Sequence, residues 1–378
     1  MILYRLSRRL RTSVVALSSL FLSFSSHADY TLNMTEGVTT ISRDIYGLHM
    51  LVMWICFVVG ILVFGVMGYS IIKHRKSKGA VSASFHESTT VEIIWTLVPL
   101  AILIGIAVPA TATLLDLEDT SKSDVSIQVT GIQWKWRYKY LGEDVEFISS
   151  LSDNNREAVK NVDPHNAAHY LRDVDKPIVV PINKKIEFLF TSDDVIHAWW
   201  VPDLAVKQDT VPGFINTSWA YIEKPGVYRG QCAELCGKDH GFMPIVVNAV
   251  SEPEYREWLV AMKAEQAAVA ASSDQVWTMD DLMAKGQTVY NSNCSACHQP
   301  TGLGLPGVFP ALANSPIALG DVKAHIDVVM NGKAGTSMSA FKGQLSDADI
   351  AAVITYERNS FGNTVGDLVQ PSTIKSLR

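Results

Sequence analysis

Gln231-Cys232-Ala233-Glu234-Leu235-Cys236-Gly237-Lys238-Asp239-His240-Gly241-Phe242-Met243 brings two thiols, an imidazole and a thioether into one short stretch. His197 lies upstream beside Trp199 and Trp200, in a segment able to return to the same loop as a strand. Thiolate, thioether and imidazole together form the soft donor set that selects copper. Two bridging thiolates suit a copper pair better than a single ion. A rigidly bridged pair shares the change in charge when one electron arrives, so little rearranges, which fits a relay rather than a catalyst. A disulfide between Cys232 and Cys236 is the plainer alternative in an oxidising compartment. Zinc is another, although Met243 is an odd companion for it. With His197, His240 and Met243 all in place, copper is the favoured reading.

Outward from that loop the pattern is β-structure. Val125, Ile127 and Val129 alternate with polar residues, as do Trp134, Trp136, Tyr138 and Tyr140 with Lys135, Arg137 and Lys139. Ile186, Phe188 and Phe190 repeat the alternation expected of half-buried strands. Pro181, Pro212-Gly213 and Pro225-Gly226 punctuate short strands, predicting a sandwich or barrel over residues 119–250. A polar interval, 149–176, reads as an inserted surface loop.

Two apolar segments precede this domain. Residues 45–72 carry no charged side chain, with His49 the one interruption, and 93–115 carry none either. Each exceeds the roughly 20 residues needed to cross a bilayer. Lys73, Arg75, Lys76 and Lys78 lie between them and mark the connection as cytoplasmic. Both outer ends of the hairpin are then periplasmic, in a bacterial inner membrane. Ahead of it, a basic stretch ending at Arg11, an apolar run over 14–24 and Ser26-His27-Ala28 have the form of a cleaved signal peptide covering 1–28. Without the leader's four arginines, 28 basic residues face 38 acidic ones. That balance argues against nucleic acid and favours a cationic partner.

After residue 250 the pattern becomes helical over 252–266, and an Ala/Ser-rich run to Ser273 reads as a linker within 251–278. A small all-α domain is expected over 279–361, followed by a loose polar tail, 362–378. Its core motif is Cys294-Ser295-Ala296-Cys297-His298, the attachment signature of c-type haem. Cys294 and Cys297 would bond the haem, and His298 would be an axial iron ligand. A thioredoxin-like dithiol would need βαβ neighbours that the sequence does not suggest. For the second axial ligand Met338 is preferred, because Met330 falls inside a helical stretch over 322–331. His/Met ligation raises the haem potential and fills both axial sites, so such a haem carries electrons rather than binding oxygen. His165 and His169, four apart, offer a weak helical pair. His325 reads as a surface or packing residue, and Cys56 as inert packing in a membrane helix.

The hairpin, β-domain and Cys232–Met243 loop together resemble subunit II of the haem-copper cytochrome c oxidases, here with a class I cytochrome c domain fused at the C-terminus. The resemblance implies a cupredoxin-like barrel whose binuclear copper is held by His197, Cys232, Cys236, His240, Met243 and the backbone carbonyl of Glu234. It also implies that the Glu234 side chain binds magnesium at the boundary with subunit I. Trp134, in Gln133-Trp134-Lys135-Trp136, would be where electrons enter. Glu92, in Val91-Glu92-Ile93-Ile94-Trp95, would admit protons to a lysine-containing channel of subunit I. Met338 resembles the axial methionine of class I cytochromes c, although Ser339 stands where proline is usual.

The expected function follows. Electrons pass from a periplasmic cytochrome c or another donor through haem and copper to a partner subunit that reduces oxygen. A nitric or nitrous oxide reductase subunit uses similar copper chemistry, but nitrous oxide reductases have a large propeller domain not seen here. A membrane-tethered copper-delivery protein would have no use for a covalent haem, and intact copper ligands disfavour a quinol-oxidising relative.

Overall fold

The computed structural model describes residues 32–81, 84, 86–167 and 169–378. The expected leader over 1–28 lies outside them. Two long helices come first, α1 (Thr40–Lys73) and α2 (Thr89–Glu118), both longer than the apolar runs that predicted them. The extra turns are polar ends: Thr39 and Ser42 form a capping box at the start of α1, and Glu92 sits in the first turn of α2. Their apolar side chains, Phe64 and Val108 among them, stand exposed along the shafts, as a lipid solvent requires.

The hairpin is fixed to the next domain at both outer ends. Val38 donates to Asp203 O at 2.9 Å and Arg43 pairs with Glu223 at 2.9 Å. At the other end, Trp219 Nε1 donates to Asp116 O at 3.1 Å. The basic connection between the helices therefore lies on the side away from the β-domain.

That domain is a two-sheet sandwich. Strands β1 (Val125–Ile132), β2 (Lys135–Tyr140) and β3 (Val145–Ser149) open it, and a short helix α3 (Asp153–Lys160) lies in the 149–176 insertion. β4 (Ile178–Pro181), β5 (Lys185–Ser192), β6 (His197–Val201), β7 (Val206–Thr210), β8 (Asn216–Tyr221), β9 (Gly226–Cys232) and β10 (Pro244–Val250) complete it. The sheets run β3-β2-β1-β5-β8 and β4-β10-β9-β6-β7. Between them lies one core in which Trp136, Tyr138, Phe188, Phe190 and Trp199 are wholly buried, on the alternate positions that the sequence pattern marked.

Helix α4 (Glu252–Ser272) follows. The Ala/Ser-rich run is thus part of a continuous helix, not a linker, because alanine is the strongest helix former. Tyr255, Leu259 and Met262 bury one face of α4 against the barrel, and Lys263–Glu143 and Lys176–Glu265 ion pairs hold its flanks.

The last domain is helical: α5 (Met279–Asn293), α6 (Ser295–His298), α7 (Pro316–Leu319), α8 (Val322–Asn331), α9 (Asp347–Arg358) and α10 (Pro371–Leu377). α5 crosses α9 at Gly286, where an added Cβ would strike the Ala352 carbonyl and Tyr356. The polar tail is not loose. Val369 and Ile374 are buried in this domain's core, Lys375 pairs with Asp274 at 2.7 Å, and Gln370 accepts from Trp277 N at 2.9 Å. Two apolar anchors among polar neighbours suffice to dock a short helix, which composition alone hides.

Candidate metal centres

The copper loop joins β9 to β10, at the end of the sheet where β6 begins. Trp199 pairs with Cys232 across β6 and β9, so His197 and Cys232 are set by strand register. Ala233 N donates to Ala198 O at 3.0 Å and carries that register into the loop. Gly131 in β1 must lack a side chain, because a Cβ there would come within 2.7 Å of both His197 Cδ2 and Thr210 Oγ1.

Potential donor atoms converge tightly. Cys232 Sγ lies 3.8 Å from Cys236 Sγ and 3.4 Å from Glu234 O. Cys236 Sγ lies 3.4 Å from His240 Nδ1 and 3.5 Å from Met243 Sδ. The nitrogen and sulfur donors of His197, Cys232 and Cys236 all fall within 4.8 Å of one another. Both cysteines are unbridged and buried. The six expected ligands are therefore brought together from two separate parts of the chain, the start of β6 and the β9–β10 loop.

The electrostatics fit a cation. His197 Nε2 lies 2.8 Å from Asp194 Oδ1, and a carboxylate can only accept, so the ring proton belongs on Nε2. Nδ1 is then a bare lone pair, and it is buried with no hydrogen-bond partner. Burial opposes the His197 imidazolium, but the bond to Asp194 and the nearby Cys232 sulfur outweigh it and hold its pKa above the usual value. Burial likewise opposes the Asp194 carboxylate, and His197 with the N–H groups of Gln133 and Val195 reverses the effect, leaving its pKa lowered. The two thiols share one proton. The bond from Cys236 draws Cys232 toward thiolate, and the same bond pushes Cys236 up. A positive charge is needed before both ionise, and a buried imidazole nitrogen without a partner beside two such sulfurs is what copper would satisfy.

Trp134 is half-buried, and its Nε1 donates to Cys236 O at 3.2 Å, beside Gln133 Nε2 at 2.9 Å on the same carbonyl. It touches the loop backbone directly. Glu234 is exposed, as is Leu235 beside it. Glu92 lies at the opposite end of the hairpin from all of these.

In the haem domain, Cys294, Cys297 and His298 share one turn, with His298 N bonded to Cys294 O at 2.9 Å. His298 Nδ1 lies 2.9 Å from Pro310 O, which orients the ring and would leave Nε2 available to an iron. Leu303, Leu305 and Val308 are exposed in the segment that folds back onto His298, an apolar lining suited to a macrocycle. Met338 is half-buried in the loop after α8, whereas Met330 is packed into the core from α8 itself.

Sequence reasoning missed several groups. Asp194, three residues before His197, was legible as a histidine partner only by its spacing. His325 proves buried, with Nε2 2.9 Å from Glu357 Oε2, a pair joined across 32 positions that no local pattern announces. His165 and His169 do not share a helix face: the first lies in a 3-10 turn and the second has a positive φ of 53°.

Family comparisons agree with this architecture. Residues 27–112 match the transmembrane domain, and 125–250 the periplasmic domain, of cytochrome c oxidase subunit II. Residues 281–356 match the family described as cytochrome c oxidase, cbb3-type, subunit III. A probable cytochrome c oxidase subunit 2 of Rickettsia bellii is 35% identical over 264 residues, covering 68% of this chain and 96% of the relative. The chain belongs to the cytochrome c oxidase subunit II family. The subunit 2 of Cereibacter sphaeroides is 35% identical, over 59% of this chain and 77% of that one. The solved periplasmic domain of subunit II of Bradyrhizobium japonicum is 39% identical over 39% of this chain and 98% of its own, with a TM-score of 0.34. The chain is thus a two-span membrane subunit of an oxidoreductase complex, working with subunit I, and its cupredoxin-like and cytochrome c domains imply copper and haem.

Proposed function

We propose that this subunit II accepts electrons from a periplasmic cytochrome c or another donor at its own haem domain and relays them through a binuclear copper centre to subunit I, where oxygen is reduced to water. The observation that carries the reading is the convergence of His197, Cys232, the Glu234 carbonyl, Cys236, His240 and Met243 onto one buried point beside Trp134. Bound there, a copper pair supplies a one-electron store with little rearrangement. The chain's residues do the rest. Asp194 fixes the His197 tautomer, Trp134 links the Cys236 carbonyl to the domain surface, and His298 with Met338 would hold haem iron attached through Cys294 and Cys297.

In this reading Glu234 turns its exposed carboxylate to magnesium at the subunit I boundary, and Glu92 admits protons on the cytoplasmic side. The basic connection between the helices supports a cytoplasmic hairpin tip in a bacterial inner membrane, with both soluble domains periplasmic. Domain limits of 119–250 for the copper unit and 279–361 for the haem unit go with it. The test is electron paramagnetic resonance and redox-difference optical spectroscopy on the copper- and haem-loaded full chain. The expected result is one electron shared over two equivalent coppers beside a low-spin His/Met haem. A single-copper signal after full loading would refute it.

A further inference from the structure

Two lysines of the copper domain reach across to the haem domain. Lys135, next to Trp134, donates to Asn293 Oδ1 at 2.9 Å and lies 5.5 Å from the centroid of the Phe341 ring. Lys238, between Cys236 and His240 in the copper loop, donates to Ala296 O at 2.7 Å, midway between the two haem-attachment cysteines. Both contacts fall where α5 ends and the attachment turn begins. Each lysine thus finds an oxygen acceptor at the junction of α5 and the attachment turn, one from a side chain and one from the backbone. Lys135 retains 7% of its exposure, and no carboxylate forms an ion pair with it among the described residues. Lysine is almost never buried so far without a partner, and here the haem domain's Asn293 and Phe341 lie against it. Phe341 also ties the contact to the Met338 loop.

We propose that Lys135 and Lys238 are a docking latch that seats the haem-attachment turn on the Trp134 edge, so that this edge receives electrons from the chain's own haem domain and is closed to outside donors. The proposal rests on the relay reading above. With iron held by His298 and copper by Cys232 and Cys236, the transfer it governs would be of one electron, with no atom or proton exchanged. An outside donor is then confined to the haem domain, and Trp134 serves as an internal contact rather than a landing site.

Charge reversal tests the latch in the full chain. Lys238→Glu changes a half-exposed side chain that bears no fold, and Lys135→Glu is its buried counterpart. Amide hydrogen exchange over residues 133–137 and 291–298, read with and without bound copper, reports docking even for a variant that loses metal. Internal electron transfer after photoreduction of the haem is the second readout. The expected result is at least tenfold faster exchange in both segments for each variant, and at least tenfold slower transfer wherever copper is retained. Exchange in both segments within twofold of the parent chain for both variants would overturn the latch. If the parent chain itself lacks the shared-electron copper signal or the low-spin haem, the relay reading fails instead.

Discussion

The copper loop and the haem-attachment turn each carry two closely spaced cysteines, yet the polypeptide supports them in opposite ways. Around copper the protein supplies the whole constellation. Strand register sets His197 against Cys232, Gly131 makes room for the imidazole, and Trp136 Nε1 steadies the Met243 carbonyl at 3.3 Å. Around haem it would supply attachment points alone. Cys294, Cys297 and His298 sit on a single turn, and Met338 lies in a loop behind α8. A donor set built by a β-core is preorganised for a small ion, whereas a macrocycle brings its own bulk and becomes part of the core it completes. Losing one ligand should therefore abolish the first centre and only alter the second.

The sharpest way to break that comparison is a matched pair of substitutions. Cys236→Ser removes a sulfur that would bridge the copper pair, and the expected outcome is complete loss of the shared-electron copper signal with electron transfer down by more than about 100-fold, beyond the range for outer-shell partners. Met338→Leu should leave the haem covalently bound through both thioethers while its low-spin spectrum is lost. Retention of a paired-copper signal in Cys236→Ser would show that the thiolates do not share the metal. Asp194→Asn is the intermediate case. The neutral amide no longer fixes the Nε2 proton of His197, and copper affinity should fall by about 10- to 100-fold in a competition titration. Unchanged affinity would mean that the orientation of His197 comes from Trp136 and Gly131 alone.

The smallest effect concerns the surface between the two domains. Burial lowers Lys135 from 10.5 to about 8. Below about pH 8 the lysine is charged whether or not the domains are docked, and the cost of burying that charge is fully present. Between about pH 8 and 10.5 the buried lysine has given up its proton while the lysine of the unfolded chain keeps it, so stability rises with pH. The difference in thermal unfolding of the haem domain between the parent chain and Lys135→Met, followed by haem absorbance, should narrow across that window. A difference that stays constant with pH would place Lys135 in water.

Much of this was legible because the informative signals are local. Alternation of apolar residues located β1, β2 and β5, and the loop from Gln231 to Met243 named its own chemistry. The attachment motif and the two uncharged runs did the same for haem and membrane. What stayed hidden depends on contacts between distant residues. Nothing near Ser273 shows that α4 lies along the barrel, because its buried Tyr255, Leu259 and Met262 require a partner surface to have meaning. The tail from Gly362 reads as polar until Val369 and Ile374 find α9. Lys135 looks like an outward residue of an alternating strand, and only the approach of Asn293 and Phe341 turns it into an interface group.

The continuity of α4 has a further consequence. A 21-residue helix is a strut about 30 Å long, and the irregular chain left between it and α5 is only residues 273–278. Fully extended, that segment reaches about 20 Å. Even when released, the haem domain is therefore confined near its seat at an effective concentration in the millimolar range. A soluble cytochrome competing for the same edge would have to approach that concentration, so exclusion by mass action would persist after the latch is broken.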